Sequence, residues 1–143
     1  MRATRRALVA FGLGAALAGG ASFAASPRMG DPRPAGLVPG SVDRGRNLYD
    51  DTCFACHSLD ANRVGPAHRG VFGRKAGSAP GFAYSPAVKN SGVVWTETTL
   101  DTWLMDPQGF IPGARMAFHL GDAQKRADVI AYLKYTTKTP GSR

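Results

Sequence analysis

The sequence predicts an all-α domain with three principal helices joined by long ordered loops. Residues at helical spacing recur in three stretches, near the start, in the middle and near the end of the domain. Between the first two stretches, residues 57–92 are dense in Gly and Pro and have too little regular pattern for long strands. The length of 143 residues indicates one globular domain, and no internal repeat is visible.

Residues 1–24 have the pattern of a secretory signal peptide. A basic head contains three arginines, an apolar run follows, and small residues precede Ala25. An uncleaved membrane anchor is the alternative, because the run from Ala7 approaches the ~20 residues that cross a bilayer. Its high Ala and Gly content would make a weak span. We therefore expect cleavage and a periplasmic protein, which would be tethered to the membrane if the leader stays.

Three further segments follow the leader. Residues 25–40 are rich in Pro and Gly without an apolar period, which predicts a flexible spacer. The folded domain is predicted over residues 41–138, and residues 139–143 form a tail.

The first principal helix is predicted from Ser41 to Ala55. Ser41 is a suitable N-cap. Gly45 and Tyr49 lie four residues apart on one face, and the glycine would let another helix approach closely.

The other helices have similar signals. Ser85 and Pro86 predict a short helical turn. A second principal helix is predicted from Thr96 to Met105, where Pro107 ends it, and a loop is expected from Asp106 to Leu120. The third is predicted from Asp122 to about Tyr135. The residues expected on the buried faces are Leu100, Trp103, Leu104, Val129, Ile130, Tyr132 and Leu133.

Cys53 and Cys56 form a C-x-x-C-H motif with His57. This spacing is the attachment signature of a c-type haem. Two cysteines three residues apart project from one helix face, so both thiols can reach the vinyl groups of one porphyrin. His57 follows directly and its imidazole can bind the iron. The motif predicts two thioether bonds and one axial ligand.

Other interpretations of the cysteine pair exist. A thioredoxin-type redox pair normally opens a helix after a strand, and no such pattern is present. A zinc site would need a second pair of ligands, and the chain has only two cysteines. A structural disulfide across so short a loop would constrain very little.

A second axial ligand has five candidates: His68, His119, Met29, Met105 and Met116. Met29 lies in the predicted spacer, and Met105 lies at a helix end where methionine more often packs. Met116 lies in a Pro/Gly loop far along the chain from the motif. Spacing alone leaves open whether Met116 is a ligand or part of the core, and histidines outside the motif are more often surface or core residues.

Several motifs follow one another from Gly45 to Leu133. They are Gly45, Tyr49, the C-x-x-C-H motif, Gly65-Pro66, Gly73-Arg74-Lys75, Gly77, Ala79–Phe82, Tyr84, Trp95, Pro112-Gly113, Met116, Phe118 and Ile130–Leu133. In this order they resemble the class I cytochromes c, close to the mitochondrial type and its soluble bacterial relatives. The resemblance implies the small class I fold wrapped around one covalent haem c, with Met116 as the second ligand.

The resemblance also implies roles for residues around the haem. Pro66 would accept a hydrogen bond from the ring of His57. Three residues would bond or neutralise a buried haem propionate: Arg74, Tyr84 and Trp95. Phe118 would cover the haem beside Met116, and Gly45 would contact Tyr132 between the first and last helices. Three positions depart from many relatives and bear on the potential and the Met–iron bond: Val88, Trp103 and Ala114.

The function that the resemblance implies is one-electron transfer between respiratory or photosynthetic complexes, not enzymatic catalysis. With both axial positions filled, substrates cannot reach the iron. The formal charge of +8 falls when the leader is removed, and export makes nucleic acid an improbable partner. We expect a monomer that docks on acidic surfaces of a quinol–cytochrome c reductase, a terminal oxidase, a reaction centre or a periplasmic dehydrogenase. From family likeness, Lys75, Lys89 and Arg115 are candidates for the docking ring.

Two alternatives remain at this point. If Met116 is weakly held, the open iron could act as a peroxidase or as a sensor of small ligands. This alternative rests on Trp103 and Ala114, which depart from many relatives near the Met–iron bond. Without a haem, the chain would be a thiol redox or binding protein.

Overall fold

The computed structural model describes residues 37–139. Within them the chain forms five α-helices and no strand. These are α1 (Val42–Leu48), α2 (Pro86–Asn90), α3 (Glu97–Met105), α4 (Pro107–Phe110) and α5 (Ala123–Lys138). The all-α class is confirmed, and the three principal helices of the prediction are α1, α3 and α5. The predicted leader, most of the spacer and residues 140–143 lie outside the described residues.

α1 begins where the sequence predicts. The hydroxyl of Ser41 accepts a hydrogen bond from the backbone N–H of Arg44 at 3.4 Å. After Leu48 the helix widens into a π turn over Tyr49–Cys53, so it ends two residues before the predicted limit. π turns inside helices occur frequently at functional sites, and this one carries Cys53.

α1 crosses α5 in close contact at Gly45. A Cβ atom at Gly45 would overlap the backbone carbonyl of Asp128 and lie 3.0 Å from the Cβ of Tyr132. The buried carboxylate of Asp128 also accepts from the Ser41 backbone N–H at 2.7 Å and from Arg44 Nε at 2.7 Å. The predicted contact between the first and last helices is confirmed, and hydrogen bonds reinforce it.

α3 and α5 differ slightly from their predicted limits. Thr96 caps α3, whose Leu100 and Leu104 are buried. The loop predicted from Asp106 is wrong at its start, because the Asp106 side chain caps α4, with Pro107 in the first turn. Proline ends one helix and also suits the first position of the next. α5 continues three residues beyond Tyr135, to Lys138.

Long loops connect α1 to α3, as predicted. They contain one isolated β-bridge, between Lys75 and Val94. Residues 37–40, which the sequence analysis places in the spacer, lie against α5: Gln124 Nε2 donates to the carbonyl of Pro39 at 2.7 Å. A Cβ atom at Gly40 would overlap the carbonyl of Ala127. No helix in residues 37–139 has the length and apolar character to cross a membrane.

Candidate functional site

A cavity of about 420 Å³ lies within the domain. This volume falls in the range of ~300–1,000 Å³ that is typical of cofactor and ligand sites. Apolar side chains from α3, α5 and the loops line it, including Val71, Leu100, Val129 and Leu133. All nine candidate site residues also line it: Cys53, Cys56, His57, Pro66, Arg74, Tyr84, Trp95, Met116 and Phe118. The fold therefore brings together residues that are spread over half of the sequence.

The two cysteines lie on one tight turn that follows α1. The backbone N–H groups of Cys56 and His57 both donate to the carbonyl of Cys53, at 3.1 Å and 2.9 Å. Both thiols are free, and Cys56 is exposed. Burial raises the pKa of the Cys53 thiol, although the hydroxyl of Thr52 opposes the shift. A raised pKa disfavours the thiolate form of Cys53, whereas the reactive cysteine of a redox pair has a lowered pKa.

The imidazole of His57 is held by the loop that follows it. Its Nδ1 lies 2.9 Å from the carbonyl oxygen of Pro66. A carbonyl oxygen only accepts, so Nδ1 carries the hydrogen and the lone pair of Nε2 is left for a metal. Burial lowers the pKa of His57, against a smaller opposing effect of the Pro66 hydrogen bond, and this favours the neutral ring. A Cβ atom at Gly65 would overlap the ring, so only glycine fits there.

His68 is a cavity residue that sequence reasoning did not select. Its ring stacks on that of His57, with centroids 3.9 Å apart and planes inclined by 21°. Its buried Nδ1 and the hydroxyl of Tyr49 have no hydrogen-bond partner among residues 37–139. Burial, with repulsion from His57 and Arg74, lowers the pKa of His68 well below its usual value. Nothing in the local sequence distinguishes His68 from a surface histidine, because only the fold of the loop places it here.

One part of the cavity wall is polar. The guanidinium of Arg74 donates to the carbonyls of Ala67 at 2.9 Å and Arg69 at 3.1 Å. Trp95 is buried, and its ring lies 5.3 Å from that of Trp103. The two hydrogen bonds of Arg74 hold its positive charge in the wall, where it can compensate a carboxylate. Tyr84 lines the same cavity, edge-on to Phe82 at 4.8 Å.

Met116 belongs to a loop closed at its base by the hydrogen bond from the Leu120 N–H to the Leu104 carbonyl, at 2.7 Å. Met116 is half-buried and lines the cavity, as does the more exposed Phe118. Met105 is 48% exposed and is not part of the cavity wall. His119 is also exposed and outside that wall. Met29 lies outside the described residues, so among the described candidates the cavity selects Met116 and His68.

Comparison with known proteins identifies the family. The family model for cytochrome c matches residues 42–137. The chain belongs to the cytochrome c family. It is 43% identical over 107 residues to cytochrome c type-1 of Ascaris suum. This match covers 73% of this chain and 96% of that protein. It is 44% identical over 103 residues to cytochrome c of Sesamum indicum, and the match covers 69% of this chain and 93% of that protein.

A solved structure gives the same result. The chain is similar to cytochrome cH from Methylobacterium extorquens, with a TM-score of 0.65 and 43% identity over 67% of this chain and 99% of that one. The expected class I cytochrome c fold is therefore confirmed, and the protein is an electron-carrier cytochrome c. The family carries covalently attached haem c, and Cys53 and Cys56 have the spacing for it.

The cavity of this cytochrome fits that cofactor. Its walls are mainly apolar, both cysteines of the chain line it, and it receives an imidazole nitrogen and a thioether from distant segments. No group of three or more His, Cys, Asp or Glu side chains among the described residues could hold a metal ion, and the two cysteines are not joined by a disulfide.

Proposed function

We propose that this cytochrome c is an exported one-electron shuttle between respiratory or photosynthetic complexes, with His57 and Met116 as the axial ligands of its haem. One observation carries the proposal: His57 and Met116 come from distant parts of the chain and line the same cavity, whose wall also contains both cysteines. When bound, haem c supplies a single iron that alternates between two oxidation states.

The hydrogen bond to Pro66 supports the role of His57. It orients the ring and makes its nitrogen more basic, as partners of metal-bound histidines generally do. The backbone of Gly65 lies so close to this ring that a Cβ atom there would overlap it.

Contact geometry favours Met116 over His68 as the second ligand. The ring of His68 is stacked on that of His57, so it cannot approach an iron from the face opposite to His57. Met116 reaches the cavity from a separate loop. A thioether favours Fe(II) and raises the reduction potential, which suits a carrier that accepts electrons from a reductase.

The remaining predicted site residues have matching environments. Arg74 lies in the cavity wall with Tyr84 and Trp95, where its cation would compensate a haem propionate. Phe118 is 43% exposed at the cavity and would cover the haem beside Met116. Filling both axial positions would leave no site for a substrate, which favours electron transfer over catalysis.

Exposed basic side chains support docking on acidic partners. Lys75, Lys89 and Arg115 are all exposed, and Arg115 also lines the cavity. The basic head and apolar run at the N-terminus support export to the periplasm, with a membrane tether as the form expected if cleavage does not occur. The partner would be a quinol–cytochrome c reductase, a terminal oxidase, a reaction centre or a periplasmic dehydrogenase.

An optical redox titration of the exported protein tests this function. We expect c-type haem bands, a high positive potential and the far-red ferric band that reports sulfur ligation. A low potential without the sulfur band would exclude Met116 as the ligand. The alternative function, a peroxidase or ligand sensor, would then be favoured, and carbon monoxide would bind the untreated ferrous protein.

A further inference from the structure

The side-chain amide of Gln108 spans the loop that carries Met116. Its Nε2 donates to the carbonyl of Ala114 at 2.6 Å and to the carbonyl of Met116 itself at 2.9 Å. A primary amide nitrogen has two hydrogens, so this nitrogen uses both of its donors on one short stretch of backbone. The two hydrogen bonds of Gln108 therefore hold the backbone carbonyls on either side of Arg115, and one of these carbonyls belongs to Met116.

Gln108 reaches the Met116 loop from the protein surface. Gln108 is an exposed residue in the first turn of α4, which Asp106 caps and Pro107 starts. Capping fixes the backbone from which the amide extends. The bonds thus link a short anchored helix to the irregular backbone eight residues later.

The loop around Met116 is also held by burial of Ile111 and Ala114 in the core and by two further hydrogen bonds. Ala114 has no side-chain group that could form a hydrogen bond, and its N–H donates to the carbonyl of Ile111 at 3.0 Å. Arg115 Nη1 donates to the carbonyl of Ala83 at 3.2 Å, which joins this loop to the loop before α2. A thioether is a weak ligand on a flexible side chain, so the location of its sulfur depends on how firmly the backbone is held.

We propose that Gln108 is a positioning residue that keeps the thioether of Met116 on the haem iron, by fixing the backbone at Ala114 and Met116. The inference rests on the proposed ligation by Met116. Gln108 does not touch the iron or any substrate. Its bonds restrict the opening of the loop, and opening is the step that would convert a carrier into a ligand-binding or peroxidase-like haem protein.

The test compares three variants of the exported holoprotein with the unaltered protein. Gln108→Ala removes both donors, and Gln108→Glu keeps the shape but places a carboxylate against two carbonyls. Gln124→Ala is the matched control, because Gln124 Nε2 also makes two hydrogen bonds, to Pro39 O and Asp128 Oδ1, away from the Met116 loop. The readouts are the far-red sulfur band of the ferric protein, carbon monoxide binding by the ferrous protein, the reduction potential, and urea unfolding.

Both Gln108 variants are expected to fold, because the residue is exposed. We expect them to bind carbon monoxide about tenfold to a hundredfold more readily, from the loss of two hydrogen bonds, with a weaker sulfur band and a lower potential. Gln124→Ala should match the unaltered protein in these three properties, even where its unfolding midpoint falls.

Three results would overturn the proposal. A full sulfur band and unchanged carbon monoxide binding in both Gln108 variants would remove the role of Gln108 and leave the proposed function intact. If Gln124→Ala changed the sulfur band and carbon monoxide binding equally, the changes in the Gln108 variants would reflect lower overall stability and not positioning of Met116. No sulfur band in the unaltered protein would remove the Met116 ligation itself, and the inference with it.

Discussion

The backbone carbonyl of Asp128 on α5 occupies the space that a Cβ atom on Gly45 of α1 would need. Helix α1 can lie this close to α5 because glycine has no side chain. Asp128 then binds the start of α1 through the Ser41 N–H and the Arg44 guanidinium. The close contact at Gly45 and the hydrogen bonds of the Asp128 carboxylate therefore stabilise the same helix crossing.

Replacing Gly45 with Ala is expected to destabilise the folded protein by about 1–3 kcal/mol, the usual cost of overpacking a rigid contact. Urea unfolding of the holoprotein measures the change. The control is Gly121→Ala, since a Cβ there meets nothing within 4 Å and the residue does not have a positive φ. Equal stabilities for both variants would show that α1 can move away from α5 at no cost.

Replacing Gly65 with Ala is expected to displace the imidazole of His57, because the new Cβ would overlap the ring. We expect a loss of about 1–3 kcal/mol in unfolding free energy and a partly high-spin haem spectrum. The haem should stay covalently attached, since the cysteines are unaffected, and mass spectrometry checks this. A native low-spin spectrum in Gly65→Ala would contradict the close contact, and Gly121→Ala again serves as the control.

Replacing Tyr49 with Phe is expected to change the unfolding free energy by less than about 1 kcal/mol, or to raise it. The buried hydroxyl of Tyr49 has no hydrogen-bond partner among the described residues, so its removal loses no bond. Tyr49→Ala should cost about 3–5 kcal/mol, since it leaves a cavity where the ring contacts Tyr132 at 5.4 Å. A large loss in Tyr49→Phe would mean that the hydroxyl is bonded in solution.

Replacing Asp128 with Asn is expected to remove a stability contribution that depends on pH. Hydrogen bonds from Arg44, aided by those from Ser41 and Gln124, hold the pKa of Asp128 below its usual value. A lowered pKa in the folded state contributes stability above the unfolded pKa of ~3.9, and this is lost as pH falls through the folded value. At pH 7 we expect Asp128→Asn to cost about 1–3 kcal/mol.

Urea unfolding of Asp128→Asn at several pH values between 7 and 3 checks this prediction. The difference from the unaltered protein should shrink below about pH 4. Asp60→Asn is the control, because Asp60 pairs with Arg69 at the surface and is 64% exposed. Surface pairs contribute ~0–1 kcal/mol. A cost for Asp128→Asn that is constant across this pH range would contradict the assignment.

Reversing the charge of Lys75 or Lys89 is expected to slow electron exchange with an acidic partner about threefold to tenfold at low salt, because these exposed cations would steer docking. The effect should disappear as salt rises. Stopped-flow rates against ionic strength measure it, with Lys138→Glu on α5 as the control. Equal slowing in all three variants would indicate that net charge acts rather than a local patch.

Local signals were sufficient for much of this fold. Caps at Ser41, Ser85, Thr96 and Asp122 mark the starts of four helices within one residue, because capping depends on a few neighbouring atoms. Pro107 was ambiguous, since proline both ends α3 and starts α4. The packing of Pro39 and Gly40 on α5 cannot be predicted locally, because nothing near them in sequence indicates a distant partner.

The sequence by itself determined the all-α class, the attachment motif at Cys53, Cys56 and His57, and the family likeness that selected Met116. Each of these depends on residue type and short spacing. Only the tertiary structure placed His68 on the ring of His57 and gave Gln108 its two bonds to the Met116 loop. Those contacts arise where irregular loops fold back on themselves, and loop paths are set by the whole domain, so no local pattern predicts them.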